Sequence, residues 1–128
     1  MNIIFDSPMV EQLKTRHILL ELDTFEFEGH THPVKSYCVI EQVPVAEIAT
    51  LEHYTKLHQS MIDHYHCQKW SVCMDALILL QGRWGGTLDS FYSILNQRIV
   101  DLTQQILPED WTGHIKSKVG HINFSEDA

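Results

Sequence analysis

A chain of 128 residues is an ordinary size for one domain and is long enough to build a substantial core. Its 44% hydrophobic and 20% charged residues give it a globular rather than a disordered composition. A net charge of −8, with nine basic residues scattered along the chain, argues against nucleic-acid binding, which needs a dense basic face. The longest apolar run falls well short of the roughly 20 residues that span a bilayer. Met1 to Asp6 carries no basic segment ahead of its short apolar run, so no signal peptide is expected. The expectation is a cytoplasmic protein with no membrane partner. Cys38, Cys67 and Cys73 are odd in number and lack Cys-x-x-Cys spacing, which fits reduced and mostly buried thiols.

In chain order, Met1 to Phe5 offers a possible short strand. From Arg16 to Phe27, Ile18, Leu20 and Leu22 alternate with His17, Glu21 and Asp23, the period of a strand. Glu28-Gly29-His30-Thr31-His32-Pro33 is a turn signal, and Val34 to Glu41 again reads as strand, with Val34, Cys38 and Ile40 on one side. The two strands predict an antiparallel hairpin. A hairpin is marginal alone and needs something to cover its apolar face.

Pro44 suits a helix start, and Ile48, Leu51, Tyr54, Leu57, Met61 and Tyr65 then recur at helical steps to an end near His66-Cys67. A second helix follows from Trp70. Between Val72 and Leu80 its only polar side chain is Asp75, so it is expected to be dry on every side and central in the fold. Gly82-Arg83-Trp84-Gly85-Gly86 stops it, because glycines serve the left-handed geometry that ends helices. Thr87 is the expected N-cap of a third helix, in which Leu88, Tyr92, Leu95, Ile99, Leu102 and Ile106 form a seam. Phe91 and Ile94 widen that seam beyond what one partner helix needs. Pro108 breaks the pattern, Trp111 folds back as a plug, and the tail from Val119 is expected to fray. The predicted fold class is α+β, a hairpin of two or three strands packed on three helices. It is read as one domain: a hairpin region over 1–42, three helices over 44–106 and an extension over 107–128.

Tyr54 to Gly86 resembles a single tetratricopeptide repeat, with Leu57, Met61, Trp70, Cys73, Leu77 and Leu80 where that family packs its helix pair. Cys73 stands where the family has alanine, and Met61 where it has glycine. Asp89-Ser90-Phe91, Arg98-Ile99, Pro108-Glu109-Asp110-Trp111-Thr112-Gly113 and Lys118 resemble the tetratricopeptide-like tail of bacterial class III adenylate cyclases, whose usual Trp-Asp-Gly here carries Thr112 in the middle. The cyclase catalytic domain has no counterpart, so the resemblance implies an interaction module without cyclase activity. It also implies a ligand groove on the first helix at Thr55, His58, Ile62 and Tyr65. The Trp-Gly-Gly and Arg-Ile segments are similar to small proteins of tailed marine phages, which raises a phage structural or assembly role as an alternative.

Nine histidines invite a metal hypothesis. His30 and His32, two apart on an extended segment, point the same way, but zinc wants further ligands and an oriented outer shell, and neither follows from the sequence. His53, His58, His64 and His66 have none of the three- or four-residue spacings that chelate on a helix; Asp63 with His66 or Cys67 is the nearest usable set. Cys73 sits in an apolar helix, where burial makes a thiol inert, and Cys67 beside His64 and His66 has no oxyanion donor or orienting acid. Asp75 reads as a rim residue or as the partner of Arg83 or Lys69. No catalytic residue, metal or cofactor is therefore expected. The function expected is a non-enzymatic interaction or accessory module, with a metal-binding protein using His30 and His32 as the alternative. The surplus stripe of Phe91, Ile94, Leu95, Ile99, Leu102 and Ile106 predicts a homodimer.

Overall fold

The two alternating segments form β2 (Ile18–Phe27) and β3 (Val34–Ile40), paired antiparallel across the turn at 28–33. The structure, a computed structural model, describes residues 1–117. β1 (Ile3–Phe5) lies antiparallel on the other side of β3, with Ile3 opposite Cys38 and Phe5 opposite Ser36. Two elements have no counterpart in the sequence pattern: α1 (Met9–Lys14), which buries Val10, and β4 (Ile115–Ser117), which runs parallel to β2. The sheet order is β1-β3-β2-β4 and the fold is α+β. The expected frayed tail from Val119 lies outside the described residues.

The β2–β3 ladder is interrupted once. Glu21 pairs with Tyr37 and Thr24 with Lys35, so Leu22 and Asp23 share Ser36 as their single counterpart, a β-bulge. A bulge opens a ladder, and carbonyls opened inside a core need other partners. Ser36 Oγ donates to the Asp23 carbonyl at 2.7 Å, and His58 Nε2 donates to the Glu21 carbonyl at 2.6 Å. The bulge also breaks the alternation of β2, so Glu21, Leu22, Asp23 and Thr24 are all buried.

The helices follow the expected order. A 3-10 turn over Val45–Thr50 leads into α2 (Leu51–His66), so the helical start at Pro44 is tighter than an α-helix. α3 (Trp70–Leu80) packs back on α2, and at their crossing Cys73 Sγ donates to the Met61 carbonyl at 3.5 Å. α4 (Asp89–Leu102) begins after Leu88 rather than Thr87 and ends one turn before Ile106. Its last turn is followed by Pro108, which disfavours helical geometry at Leu107. Between α3 and α4, Glu47 holds the tight turn Trp84–Gly86, its carboxylate accepting from the Trp84 and Gly85 amides at 2.6 and 3.3 Å. Trp84 adopts a left-handed φ of 60° there, a conformation that a non-glycine residue keeps only where its surroundings enforce it. No helix among the described residues is long and apolar enough to cross a membrane.

The expectation that α3 is dry all round requires correction. Cys73, Ala76, Leu77 and Leu80 are buried in the common core with Leu20, Cys38, Met61 and Phe91, but Val72, Ile78 and Leu79 face outward. The sheet covers α2 and α4 instead. α2 packs against β2 through His58, and α4 reaches β2 through Arg98, whose guanidinium meets the Asp23 carboxylate at 2.7 and 3.2 Å. Burial alone works against the Arg98 charge, and Asp23 more than offsets it, raising the arginine's affinity for its proton.

His58 is at the centre of this arrangement, and its hydrogen bonds have only one consistent direction. A carbonyl can only accept, so Nε2 carries the proton and donates to Glu21. Neutral His58 then accepts at Nδ1 from the Tyr92 hydroxyl at 2.9 Å, and the Tyr92 oxygen accepts from Trp84 Nε1 at 2.9 Å. The relay Trp84→Tyr92→His58→Glu21 joins the turn after α3, α4, α2 and the bulge.

Burial lowers the His58 pKa to about 4, against the opposing effect of its bond to the Glu21 carbonyl. In the unfolded chain the same imidazole takes a proton near pH 6.5. Its contribution to stability is therefore intact above pH 6.5 and is lost as pH falls toward 4, levelling at a cost of about 3 kcal/mol. Urea unfolding of wild type and His58→Gln across this range should show that loss only in the wild type; parallel pH profiles would refute the assignment. Separately, Arg98→Met strands a buried carboxylate and should destabilise by about 3 kcal/mol or more, whereas adding Asp23→Asn should recover part of that cost in the same assay.

Candidate functional site

The groove expected on α2 is not a surface. His58, Ile62 and Tyr65 are fully buried, and Thr55 is half-buried with its hydroxyl bonded to the Leu51 carbonyl at 2.7 Å. In an isolated helical hairpin this stripe is open, but here β2 and α4 close it. The expected dimer stripe on α4 is likewise spent inside the chain. Phe91, Leu95 and Ile99 are buried, Ile94 and Leu102 pack half-buried against the core, and Ile106 stands fully exposed beyond the helix end. Exposed apolar side chains occur at several places, Val45 and Ile48 in the turn before α2 among them, and α3 carries three on one helix, with Ile78 73%, Leu79 52% and Val72 42% accessible. Asp75 shares this outward face at helical spacing from all three and makes no ion pair among the described residues; Arg83, one of its expected partners, stacks instead on the Tyr54 ring at 3.9 Å.

Cys38 and Cys73 are buried, as expected of most of the thiols, whereas Cys67 is exposed. All three cysteines are free, and burial pushes both Cys38 and Cys73 up to about 11. His30 and His32 are exposed in the β2–β3 loop and line one cleft of about 490 Å³ with Glu26 and Glu28. The His30 ring rests edge-on to Phe27. Among the described residues no three His, Cys, Asp or Glu side chains are grouped to hold a metal ion.

A second cleft, of about 560 Å³, was not legible from local spacing. It lies where the segment after Pro108 folds back over the end of α2, and Glu21, Lys35, Asp63, His66 and His114 line it. Trp111 anchors the segment, packing edge-on against Tyr65 at 5.7 Å and Trp70 at 5.6 Å. Gly113 makes the close approach possible. Its φ is +76°, and a Cβ there would lie 3.0 Å from Trp111, 3.1 Å from His66 Nδ1 and 3.2 Å from the Tyr65 ring. His66 Nδ1 donates to the Thr112 carbonyl at 2.9 Å, and His114 Nδ1 lies 2.9 Å from a Glu26 carboxylate oxygen. The two imidazole rings then meet edge-on, with centroids 6.0 Å apart and planes 70° apart. The one sequence signal for this junction is Trp111-Thr112-Gly113, an aromatic anchor two residues before a glycine.

Gly113→Ala combines backbone strain with these three close contacts and should destabilise by about 1–3 kcal/mol. The expected readout is a red-shifted tryptophan emission as Trp111 leaves Tyr65 and Trp70; an unchanged spectrum with unchanged stability would contradict the tight docking. Compared with protein-family models, curated proteins and solved structures, the chain matches none.

Proposed function

We propose that this chain is a non-enzymatic protein-interaction module that binds through the outward face of α3. The observation that carries the reading is the exposure of Val72, Ile78 and Leu79 on a helix whose other face is firmly in the core. Each such side chain, once buried, is worth about 1.5–3 kcal/mol. Exposed apolar side chains gathered on one helix face mark interaction sites more than isolated exposed residues do.

Asp75 shapes the choice of partner. Two copies packed antiparallel about the middle of α3 would bring Asp75 against its own counterpart, and like charges in a drying interface repel by up to about 4 kcal/mol. A partner segment with aliphatic residues around a lysine or arginine satisfies both the apolar and the acidic groups. Self-association is thus the less favoured use of the face.

The test places a photo-crosslinking amino acid at Ile78 and, as control, at Gln104, in cells of the source organism. A heteromeric adduct at position 78 that Asp75→Lys abolishes is expected. Adducts of twice the chain mass would mean self-association, and equal yields at both positions would refute the face. Ile78→Asp should abolish binding while changing folding stability by no more than about 0.5 kcal/mol, as for other surface substitutions.

A further inference from the structure

We propose that the free edge of β1 receives an extended segment of a partner protein by β-strand addition, independently of the α3 face. The sheet order places β1 at one edge. Which of its backbone groups point outward follows from the ladder to β3. The Asn2 carbonyl accepts from the Val39 amide and the Asp6 amide donates to the Lys35 carbonyl, each at 2.9 Å. Hydrogen-bonded pairs alternate along an antiparallel ladder, so Ile4 and Tyr37, opposite each other between these two, are bonded as well. Ile3 and Phe5 then belong to the non-bonded pairs and turn their N–H and C=O groups away from β3. No hydrogen bond among the described residues reaches these groups from the outer side. Exposed edges are commonly blunted by a charge or a proline, and Ile3–Phe5 contains neither.

The surroundings of the edge select the chemistry of its partner. Ile3 and Phe5 lie opposite Cys38 and Ser36, on the face that packs against the core, and both are only half-buried. A strand laid antiparallel on β1 sets its own side chains beside theirs, which favours apolar residues at alternate positions. Beyond each end of β1 stands an acid. Asp6 follows Phe5 directly. At the other end Glu41 accepts from the Asn2 side-chain amide at 3.2 Å and lines, with Gln42 and Thr87, a cleft of about 290 Å³. The segment that fits therefore carries a basic residue on each side of its apolar centre. A second copy of this chain fits less well. Symmetric pairing of two β1 strands about Ile4 would set Asp6 of each copy opposite Asn2 of the other, beside Glu41, so acid would meet acid.

The probe is the capped peptide Lys-Val-Thr-Val-Thr-Val-Lys, titrated to millimolar concentration into the full chain while amide hydrogen exchange is followed residue by residue. In the free protein Ile4 and Asp6 should exchange slowly and Ile3 and Phe5 fast. Saturating peptide should slow Ile3 and Phe5 by roughly tenfold or more. Absence of that added protection would overturn the proposal. So would protection of Ile3 and Phe5 without peptide that grows with protein concentration, since a second copy would then occupy the edge. The charge-reversed peptide Glu-Val-Thr-Val-Thr-Val-Glu should bind several-fold more weakly, and equal binding would overturn the basic partner. Ile3→Pro removes an outward N–H without touching a bond to β3 and should weaken binding of the lysine peptide roughly tenfold. Ile78→Asp should leave that binding unchanged, which separates this edge from the α3 face. Undiminished binding by Ile3→Pro, or its loss in Ile78→Asp, would equally count against the β1 edge. Because Ile3→Pro also alters packing, the exchange pattern of the wild type decides between a lost edge and a disturbed strand.

Discussion

The bulge in β2 is the constraint on which the rest of the molecule depends. By setting Leu22 and Asp23 against Ser36 alone, it opens the ladder in the interior, where an unpartnered carbonyl is costly. Ser36 repairs one carbonyl from within the sheet. The other is repaired by His58 from α2, and the same distortion delivers the Asp23 carboxylate to Arg98 on α4. Two helices distant in sequence are therefore held to one point of one strand by directional bonds, in addition to non-directional apolar contact. His58 in turn requires Tyr92, and Tyr92 accepts from Trp84, so the turn that ends α3 belongs to the same chain of donors and acceptors.

This arrangement explains why α3, the most apolar helix, is not the most buried. The bulge recruits α2 and α4 to the sheet, which leaves α3 to pack against those helices with one face only. Cys73, Ala76, Leu77 and Leu80 use that face. The opposite face is spared that role, and Ile78 in particular is 73% accessible. Aliphatic side chains left largely in water on both sides of Asp75 motivate the interface proposed for this face.

Much of the architecture was legible because it follows from periodicity. The period-two runs at 18–27 and 34–40, the three helices and the glycine stop at 82–86 all fall where side-chain spacing places them. What periodicity cannot reveal is which element covers which face. The stripe Thr55, His58, Ile62, Tyr65 reads as an open groove if α2 belongs to an isolated pair, and as core once β2 lies on it. Phe91, Leu95 and Ile99 look surplus only while the sheet is left out of the count. A histidine at position 58 carries no local sign of burial, because its partners are Glu21 and Tyr92, one on a strand and one on another helix. β4 is three residues long and pairs with β2 in parallel across ninety positions, beyond the reach of any local pattern. The clefts were legible to different degrees for the same reason: His30 and His32 are neighbours in sequence, whereas His66 and His114 meet only because Trp111 and Gly113 fold the chain back.

The histidines also show how the fold decides what one side-chain type can do. At His58 both nitrogens are engaged in the interior, one to a carbonyl and one to a hydroxyl, so the ring is a structural strut whose chemistry is closed to solvent. At His30 and His32 no hydrogen bond among the described residues orients the ring, and any ligand would have to bear the entropic cost of arranging both. His66 and His114 are intermediate, each with Nδ1 engaged, on rings whose centroids lie 6.0 Å apart. Within the described residues, only the junction of α2 with the 111–114 segment brings two imidazoles into that state together.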